Sequence, residues 1–490
     1  MNSETRHPDP LHERAGTFGE LLRVALPLII SAGSTAMMYV IDRVMLSWES
    51  LDTMAAALPA GVLHWNIMVL ALGTVAYGNA FIGQYEGAGD HHRVGPVVWQ
   101  GVYFSLAAAA LVALFAPLSP AVFRWFGHPE NIQGYEVRYF SIMCYGTLPL
   151  LLDTALSCFF SGRGKTLVVM FANITGMLIN VALDYALILG KFGFPRMGID
   201  GAALATVTAF ACITLIYLGV ILWTERRHSP YRLWAGRRFD RGLFTRLLRF
   251  GLPTGVQQFL DVACFTAFIQ LVASLGADEL AATGLVFNLN GLVFVPLLGL
   301  GTAVTVLVGH RIGEGRPRLA VRTAWLAYAL AAVYTGLFCV VYLAVPDLIL
   351  RPYGLDDHDA VRQVVVYLLR FVAVYSWFDS MVVVFGAAIR GAGDTLFAML
   401  LSFTLGIVLM VLPTGLAITF TTDGFEVAWY AVTVYITVLG LGLLARFQQG
   451  RWQSMRIIEH VAGEVADVET TERTDESDDA DRPVGQALGA

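Results

Sequence analysis

The chain is poor in charged residues and in lysine. Of its 490 residues 14% are charged and 56% are hydrophobic, whereas soluble domains carry about 25% charged residues. The only lysines are Lys165 and Lys191. Its net charge of -6 is unevenly spread, with arginine-rich loops and an acidic carboxyl-terminal stretch, and implies no nucleic-acid partner. The composition indicates a chain embedded in a lipid bilayer.

Cysteine and histidine are too few and too scattered to build a metal or disulfide framework. Five cysteines, an odd number, all fall inside apolar segments, and His64 and His310 have no second ligand at metal spacing. The glycine runs Gly83–Asp90 and Gly309–Pro317 lack the spacing of a phosphate-binding loop, and we interpret them as tight turns. We therefore expect no cofactor, and no metal other than a coupling sodium ion.

The amino terminus does not resemble a cleavable secretory signal, because residues 1 to 20 are polar and the apolar run from Leu21 is too long. Twelve apolar stretches are long enough to cross a bilayer as helices of roughly 20 residues. No alternating pattern indicates a barrel, so the spans must be helical. The twelve stretches begin near Leu21, Met54, Val97, Val137, Leu167, Ile199, Leu247, Leu280, Leu319, Val364, Leu396 and Phe425.

Arginine and lysine in short loops predict the orientation. The basic excess lies in the even-numbered connections, and the longest of them, from Glu225 to Arg249, holds eight arginines. Odd-numbered connections are poorer in basic residues and often acidic. The pattern predicts a multi-pass protein of the cell membrane with both termini in the cytoplasm.

The sequence repeats itself once. FGELLRVALP, from Phe18 to Pro27, recurs as FTRLLRFGLP, from Phe244 to Pro253, at an offset of 226. Each repeat contains six spans, and an even number keeps both copies in the same orientation, as in a parallel repeat. The predicted fold is an all-α polytopic membrane protein with twelve transmembrane helices in two pseudo-symmetric six-helix bundles.

The repeat also sets the predicted domain boundaries. The long basic loop is the natural connection between the two bundles, and the polar acidic end of the chain is too hydrophilic to fold on its own. The predicted segments are a cytoplasmic segment 1–17, a first bundle 18–224, a basic linker 225–246, a second bundle 247–450 and a disordered tail 451–490.

Carboxylates within spans are the strongest sign of function. Each costs roughly 2.5 to 3.5 kcal/mol to insert, so each needs a partner or a role. The alternative is that such an acid only accepts hydrogen bonds from neighbouring helices. The five candidates are Asp42, Asp153, Asp184, Asp261 and Asp379.

Three of the first-half residues predict an ion site. Asn180 and Asp184 are four residues apart and share one helical face, and Asp42 lies at a similar depth in the first span. Thr206 enters from the opposite side with a hydroxyl at that depth. These oxygens suit sodium, whereas a lone carboxylate with altered acidity suits a proton, and the sequence leaves both open.

Asp261 and Asp379 have matching depths in the second half, so they could share a site of their own. A drug cavity could be lined by flexible methionine and aromatic side chains, although the same residues could equally be packing in the core. The cavity candidates are Met37, Met38, Tyr39, Tyr139 and Tyr145.

The sequence resembles the multidrug and toxic compound extrusion (MATE) family over roughly residues 18 to 450. The resemblance rests on ALPLII followed by Asp42, on GQYEGAGD, on GRGKT followed by NVALDYALILGKFGFPRMGIDGAALAT, and on FGLPTGVQQFLD and FDSMVVVFGAAIRGAGDT. It implies export of organic cations or amphiphiles in exchange for sodium or protons. In the DinF-like and archaeal branch the resemblance places the ion at Asp42, Asn180 and Asp184, and in another bacterial branch at positions corresponding to Asp261 and Asp379.

Together these observations predict a cation-coupled antiporter that works as a monomer on small organic substrates. An alternative within transport is a flippase for lipid-linked oligosaccharides or polyisoprenoids, which often has two further spans and a basic cavity that are not evident here. An enzyme would need a paired nucleophile and base, a metal cluster or a cofactor loop within the spans, so we predict that the protein is not an enzyme.

Overall fold

The computed structural model describes residues 16–224, 230–351 and 359–459. Eleven helices in these ranges are long and apolar enough to cross a membrane, and one bent pair of helices brings the number to twelve, which confirms the prediction. The spans are α1 (Phe18–Glu49), α2 (Leu51–Gly87), α3 (His91–Phe126), α4 (Glu130–Tyr145 with Thr147–Ser161), α5 (Thr166–Leu189), α6 (Ile199–Thr224), α7 (Arg241–Ala273), α8 (Ala277–Gly313), α9 (Pro317–Ala344), α10 (Val361–Ala392), α11 (Thr395–Phe420) and α12 (Gly424–Gln448).

Local capping fixes where several spans begin and end. Thr17 accepts a hydrogen bond from the Glu20 amide at the start of α1, and Gly190 ends α5 in the left-handed conformation. Asp240 accepts a bond from the Leu243 amide at 3.0 Å, which starts α7 at Arg241. The seventh helix therefore begins six residues before the predicted boundary at 247.

Two of the spans depart from a straight helix. The two halves of α4 meet at an angle of 41°, and α11 contains a π-helical segment over Gly406–Val411. Gly406 lies against the Cys264 side chain of α7. A π segment widens a helix locally, so this one changes the face that α11 presents to α7. Such segments are frequent at functional sites.

The contact between the two bundles reproduces the sequence repeat. A Cβ at Gly87 of α2 would lie 2.1 Å from the carbonyl oxygen of His310 in α8, and one at Gly313 would lie 2.2 Å from the carbonyl oxygen of Gln84. Adding the offset of 226 to 87 and 84 gives 313 and 310. The contact of Gly87 with His310 and the contact of Gly313 with Gln84 therefore join equivalent positions of the two bundles. Only glycine permits helices to approach this closely, and the structure confirms two pseudo-symmetric bundles.

These contacts lie on one side of the predicted membrane, where α1 begins and α12 ends, which we call the terminal side. The bundles meet through α1 and α2 on one hand and α7 and α8 on the other. Further from that end, Gly299 of α8 packs against the backbone of Ile29 in α1, and Gly73 of α2 packs against Gly255 of α7. The terminal halves of the four helices are therefore tightly joined.

Part of the predicted linker is attached to the first bundle. Trp99 of α3 donates a hydrogen bond to the Leu233 carbonyl at 2.7 Å, and Arg93 pairs with Asp240 at 3.3 Å. The backbone carbonyl of Tyr231 accepts a bond from the Gly95 amide. Residues 230–240 are thus held along α3 before the chain enters the second bundle.

The packed chain extends past the predicted start of the tail at 451. Trp452 is fully buried and stacks on Phe447, and the amide of Ile457 donates to the Gln84 side chain of α2 at 3.0 Å. The first compact unit ends at Ile457. Most of the predicted segment 1–17 and of the predicted tail lies outside the described residues.

Candidate cation-coupling site

Four predicted residues come together inside the first bundle. Asp42 of α1 is 4% exposed, and Asn180, Asp184 and Thr206 are completely buried. The Thr206 hydroxyl lies 3.0 Å from Oδ2 of Asp42, and Asp42 interacts electrostatically with Asp184 and Asn180. The structure therefore brings together the four residues that the sequence predicts at a similar depth.

The cluster has more acceptors than donors. Oδ1 of Asp42, both carboxylate oxygens of Asp184 and both amide atoms of Asn180 are buried without a hydrogen-bond partner among the described residues. Buried polar atoms are rarely left unpaired. Two neighbouring carboxylates also repel each other when both are charged, and burial adds to that cost. The group is therefore suited to hold a positive charge.

The Thr206 hydroxyl limits which hydrogen bonds the Asp42 carboxyl group can make. The hydroxyl oxygen lies 3.0 Å from Asp42 and 3.0 Å from the Ala202 carbonyl oxygen, but it has a single proton to donate. If Asp42 is protonated, it donates to Thr206 and Thr206 donates to Ala202, so both contacts are satisfied. A bound cation would satisfy the same oxygens by coordination.

The predicted cavity residues separate into two groups. Met38 and Tyr139 are buried, and Tyr39 and Tyr139 both interact electrostatically with Asp42. Met37 and Tyr145 are 49% and 65% exposed. The structure therefore brings Tyr39 and Tyr139 to the acidic cluster, buries Met38, and leaves Met37 and Tyr145 exposed.

A second polar group lies in the first bundle. Asn173 donates to the Tyr217 hydroxyl at 3.1 Å and to the Val169 carbonyl at 2.9 Å, so its amide hydrogens are satisfied. Asp153 interacts electrostatically with Tyr217 and Tyr39, and its Oδ1 is buried without a hydrogen-bond partner in the described structure. Asn173 shares a helical face with Asn180 and Asp184, yet it serves to join α5 to α6.

The second-bundle acids both interact with one tyrosine. Asp261 of α7 and Asp379 of α10 both interact electrostatically with the buried Tyr435 of α12. Asp261 also interacts with Gln257, one helical turn away, and with Arg390 at the terminal end of α10. The sequence predicted the two acids at one depth but gave no indication of Gln257, Arg390 or Tyr435. Which side chains of neighbouring helices face each other depends on tertiary packing and cannot be read from spacing along one helix.

His64 and the five cysteines lie within the helical spans. His64 lies 3.0 Å from the Thr147 hydroxyl in a buried contact between α2 and α4. All five cysteines are free. No group of three or more His, Cys, Asp or Glu in the described ranges could hold a metal ion.

Twelve helical spans in two repeated bundles, with acidic residues inside the spans of each bundle, define a polytopic membrane transporter. The sequence profile of the MatE family matches residues 27–186 and 253–414, one stretch in each bundle. The chain belongs to the MatE family of multidrug and toxic compound extrusion proteins. It is therefore a transporter and not an enzyme.

Curated relatives and solved structures agree with this assignment. The multidrug resistance protein PmpM of Pseudomonas aeruginosa is 31% identical over 397 residues, which are 78% of this chain and 80% of that protein. A probable multidrug resistance protein NorM of Xylella fastidiosa is 28% identical over 86% of this chain and 88% of its own length. An outward-facing multidrug resistance MATE family transporter superimposes with a TM-score of 0.81 at 18% identity, covering 89% of this chain and 96% of that chain.

Proposed function

We propose that the protein is a cation-coupled antiporter that exports organic, cationic or amphiphilic compounds by alternating access. The names of its relatives PmpM and NorM, which are multidrug resistance proteins, support export of varied compounds. The proposed coupling ion is sodium or a proton, and the proposed working unit is a monomer in the cell membrane. Membership of the DinF-like branch stays a prediction.

The observation that carries the proposal is the enclosed pair Asp42 and Asp184. Both are buried, they act on each other, and the hydroxyl oxygen of Thr206 lies 3.0 Å from Oδ2 of Asp42. A carboxylate pair of this kind is costly unless a cation or proton accompanies it. Asn180 adds an amide oxygen at the same place. These four residues are the proposed coupling site.

The packing of the bundles supports alternating access. The terminal halves of α1, α2, α7 and α8 are tightly joined. We infer from the arginine-rich even-numbered loops that this side faces the cytoplasm. The arrangement is then closed to the cytoplasm, and export requires these contacts to separate so that substrate can enter.

The test is substrate flux in vesicles that contain the purified protein. We expect ethidium, a planar organic cation, to move against its gradient under a sodium gradient alone or under a proton gradient alone. Asp184→Asn should abolish this coupled movement and leave the protein folded, because one carboxylate can no longer bind the ion. Asp52→Asn, at an exposed position at the start of α2, is the matched control and should transport normally. Equal coupled transport by Asp184→Asn and wild type would refute the site, and flux that ignores both gradients would refute antiport.

A further inference from the structure

The connection between the bundles is fixed along the terminal end of α3. Trp99 donates a hydrogen bond to the Leu233 carbonyl at 2.7 Å, and the Tyr103 hydroxyl donates to the Arg237 carbonyl. Trp99 and Tyr103 are four residues apart, so both bonds come from one face of the helix. A Cβ on Gly236 would lie 2.7 Å from a proline side chain of the same helix. The backbone of this segment is therefore held in one position against α3.

The segment carries arginine side chains that no acid neutralises. Arg237 and Arg238 are exposed, and so is Arg241 at the start of α7. In the described ranges none of these three guanidinium groups forms an ion pair with a carboxylate. Asp240 is the one acidic residue between positions 230 and 249, and it pairs with Arg93 of α3 instead. The segment therefore presents uncompensated positive charge.

Aromatic side chains accompany these arginines. Trp234 and Phe239 are 45% and 56% exposed, and Phe239 packs edge-on against Tyr103 of α3 with ring centres 5.8 Å apart. Tryptophan and tyrosine are enriched where a span passes from hydrocarbon to headgroups. Because α3 has no charged residue from Val94 to Phe123, its terminal end is where it enters the membrane. The aromatic and basic side chains of the segment therefore lie at the level of the lipid headgroups.

We propose that Arg237, Arg238 and Arg241 bind the phosphate groups of anionic phospholipids at the terminal side of the membrane. A guanidinium group binds phosphate through two parallel N–H···O bonds. The exposed rings of Trp234 and Phe239 contact the apolar part of the lipid, which a free phosphate ion lacks. Since Arg237 is held by α3 and Arg241 begins α7, the bound lipid contacts both bundles.

The experiment counts lipids bound to the full-length protein in detergent solution by native mass spectrometry, as phosphatidylglycerol or phosphatidylcholine is titrated. Each arginine at an anionic lipid surface strengthens binding about fivefold. Arg237→Gln with Arg238→Gln should therefore weaken the first binding of phosphatidylglycerol about 25-fold. Arg316→Gln with Arg318→Gln removes two exposed arginines from the same side of the membrane and should keep the wild-type affinity. Phosphatidylcholine should bind more weakly than phosphatidylglycerol to the wild type.

A charge-preserving variant and a competing ion make the result specific. Arg237→Lys with Arg238→Lys keeps the charge but loses the paired N–H groups, so it should bind phosphatidylglycerol more tightly than the glutamine variant and less tightly than the wild type. Inorganic phosphate at the concentration of the lipid, with ionic strength matched by chloride, should not displace phosphatidylglycerol.

Four results would overturn the proposal. They are equal affinity of the wild type for the two lipids, wild-type affinity in the folded Arg237→Gln, Arg238→Gln variant, an equal loss in the two glutamine variants, and displacement of the lipid by an equal concentration of phosphate. The third result would mean a general effect of surface charge, and the fourth a site for a free anion.

Discussion

A buried ion cluster joins the two bundles at the terminal side and should stabilise the closed arrangement. Arg311 of α8, with a side chain 1% exposed, bonds to Glu20 of α1 and lies 2.7 Å from Glu314. Glu20 also accepts a hydrogen bond from the Gly16 amide. Because α1 belongs to the first bundle and α8 to the second, this cluster joins the bundles where they must separate.

Replacement of Arg311 by methionine would leave Glu20 buried without this cation. Removing one member of a buried ion pair costs about 3 to 5 kcal/mol. In the open arrangement water would reach Glu20 and Glu314, so most of this cost would fall on the closed arrangement. Since about 1.4 kcal/mol is a factor of ten, the equilibrium should shift toward opening by roughly two to three powers of ten.

The shift can be measured as a distance across the terminal side. Spin labels at Leu167 of the first bundle and Arg318 of the second, both exposed, would be placed in a cysteine-free background. We expect Arg311→Met to add a population with a longer separation. Arg316→Met, an exposed arginine close by, should not change the distances. If Arg311→Met keeps the parent distribution in a folded protein, the cluster does not hold the bundles closed.

Helix packing at Gly87 and the interactions of Asp240 should both affect the stability of the protein. Gly87→Ala places a Cβ against the backbone of α8 and should destabilise the closed arrangement by about 1 to 3 kcal/mol, seen as a lower melting temperature in detergent. Gly19→Ala, which meets no atom within 4 Å, should be neutral, and equal melting of both variants would contradict the packing argument. The backbone amide at the start of α7, together with Arg93, lowers the pKa of Asp240. A lowered pKa contributes stability that is present at neutral pH and is lost as pH falls through the pKa, so Asp240→Asn should reduce stability at pH 7 and have little effect near pH 3. A loss of the same size at both pH values would argue against this cause.

The sequence predicted features that depend on spacing along one helix. Hydrophobic length located the twelve spans, and the repeat located the second bundle, because both signals are local. Asp42, Asp184 and Thr206 were expected at one depth since rise per residue is nearly constant in a helix. The structure places them together.

Features that depend on which way a helix face points were not predictable. Tyr139 of α4 acts on Asp42 of α1, and the contact of Arg390 with Gln257 joins residues 133 positions apart. The segment after residue 450 looked like the start of a polar tail, yet Trp452 is buried against α12. One aromatic side chain was enough to extend the packed structure past the expected boundary.

We propose that the buried acids of the first bundle exchange a cation for the substrate. The most direct test is to add ethidium to purified protein in weakly buffered detergent solution and to record sodium and proton release together. We expect about one cation to be released per ethidium bound by wild type, and none by Asp184→Asn at ethidium concentrations that still saturate it. Equal release from wild type and Asp184→Asn, or ethidium binding to wild type with no release of either ion, would contradict the account.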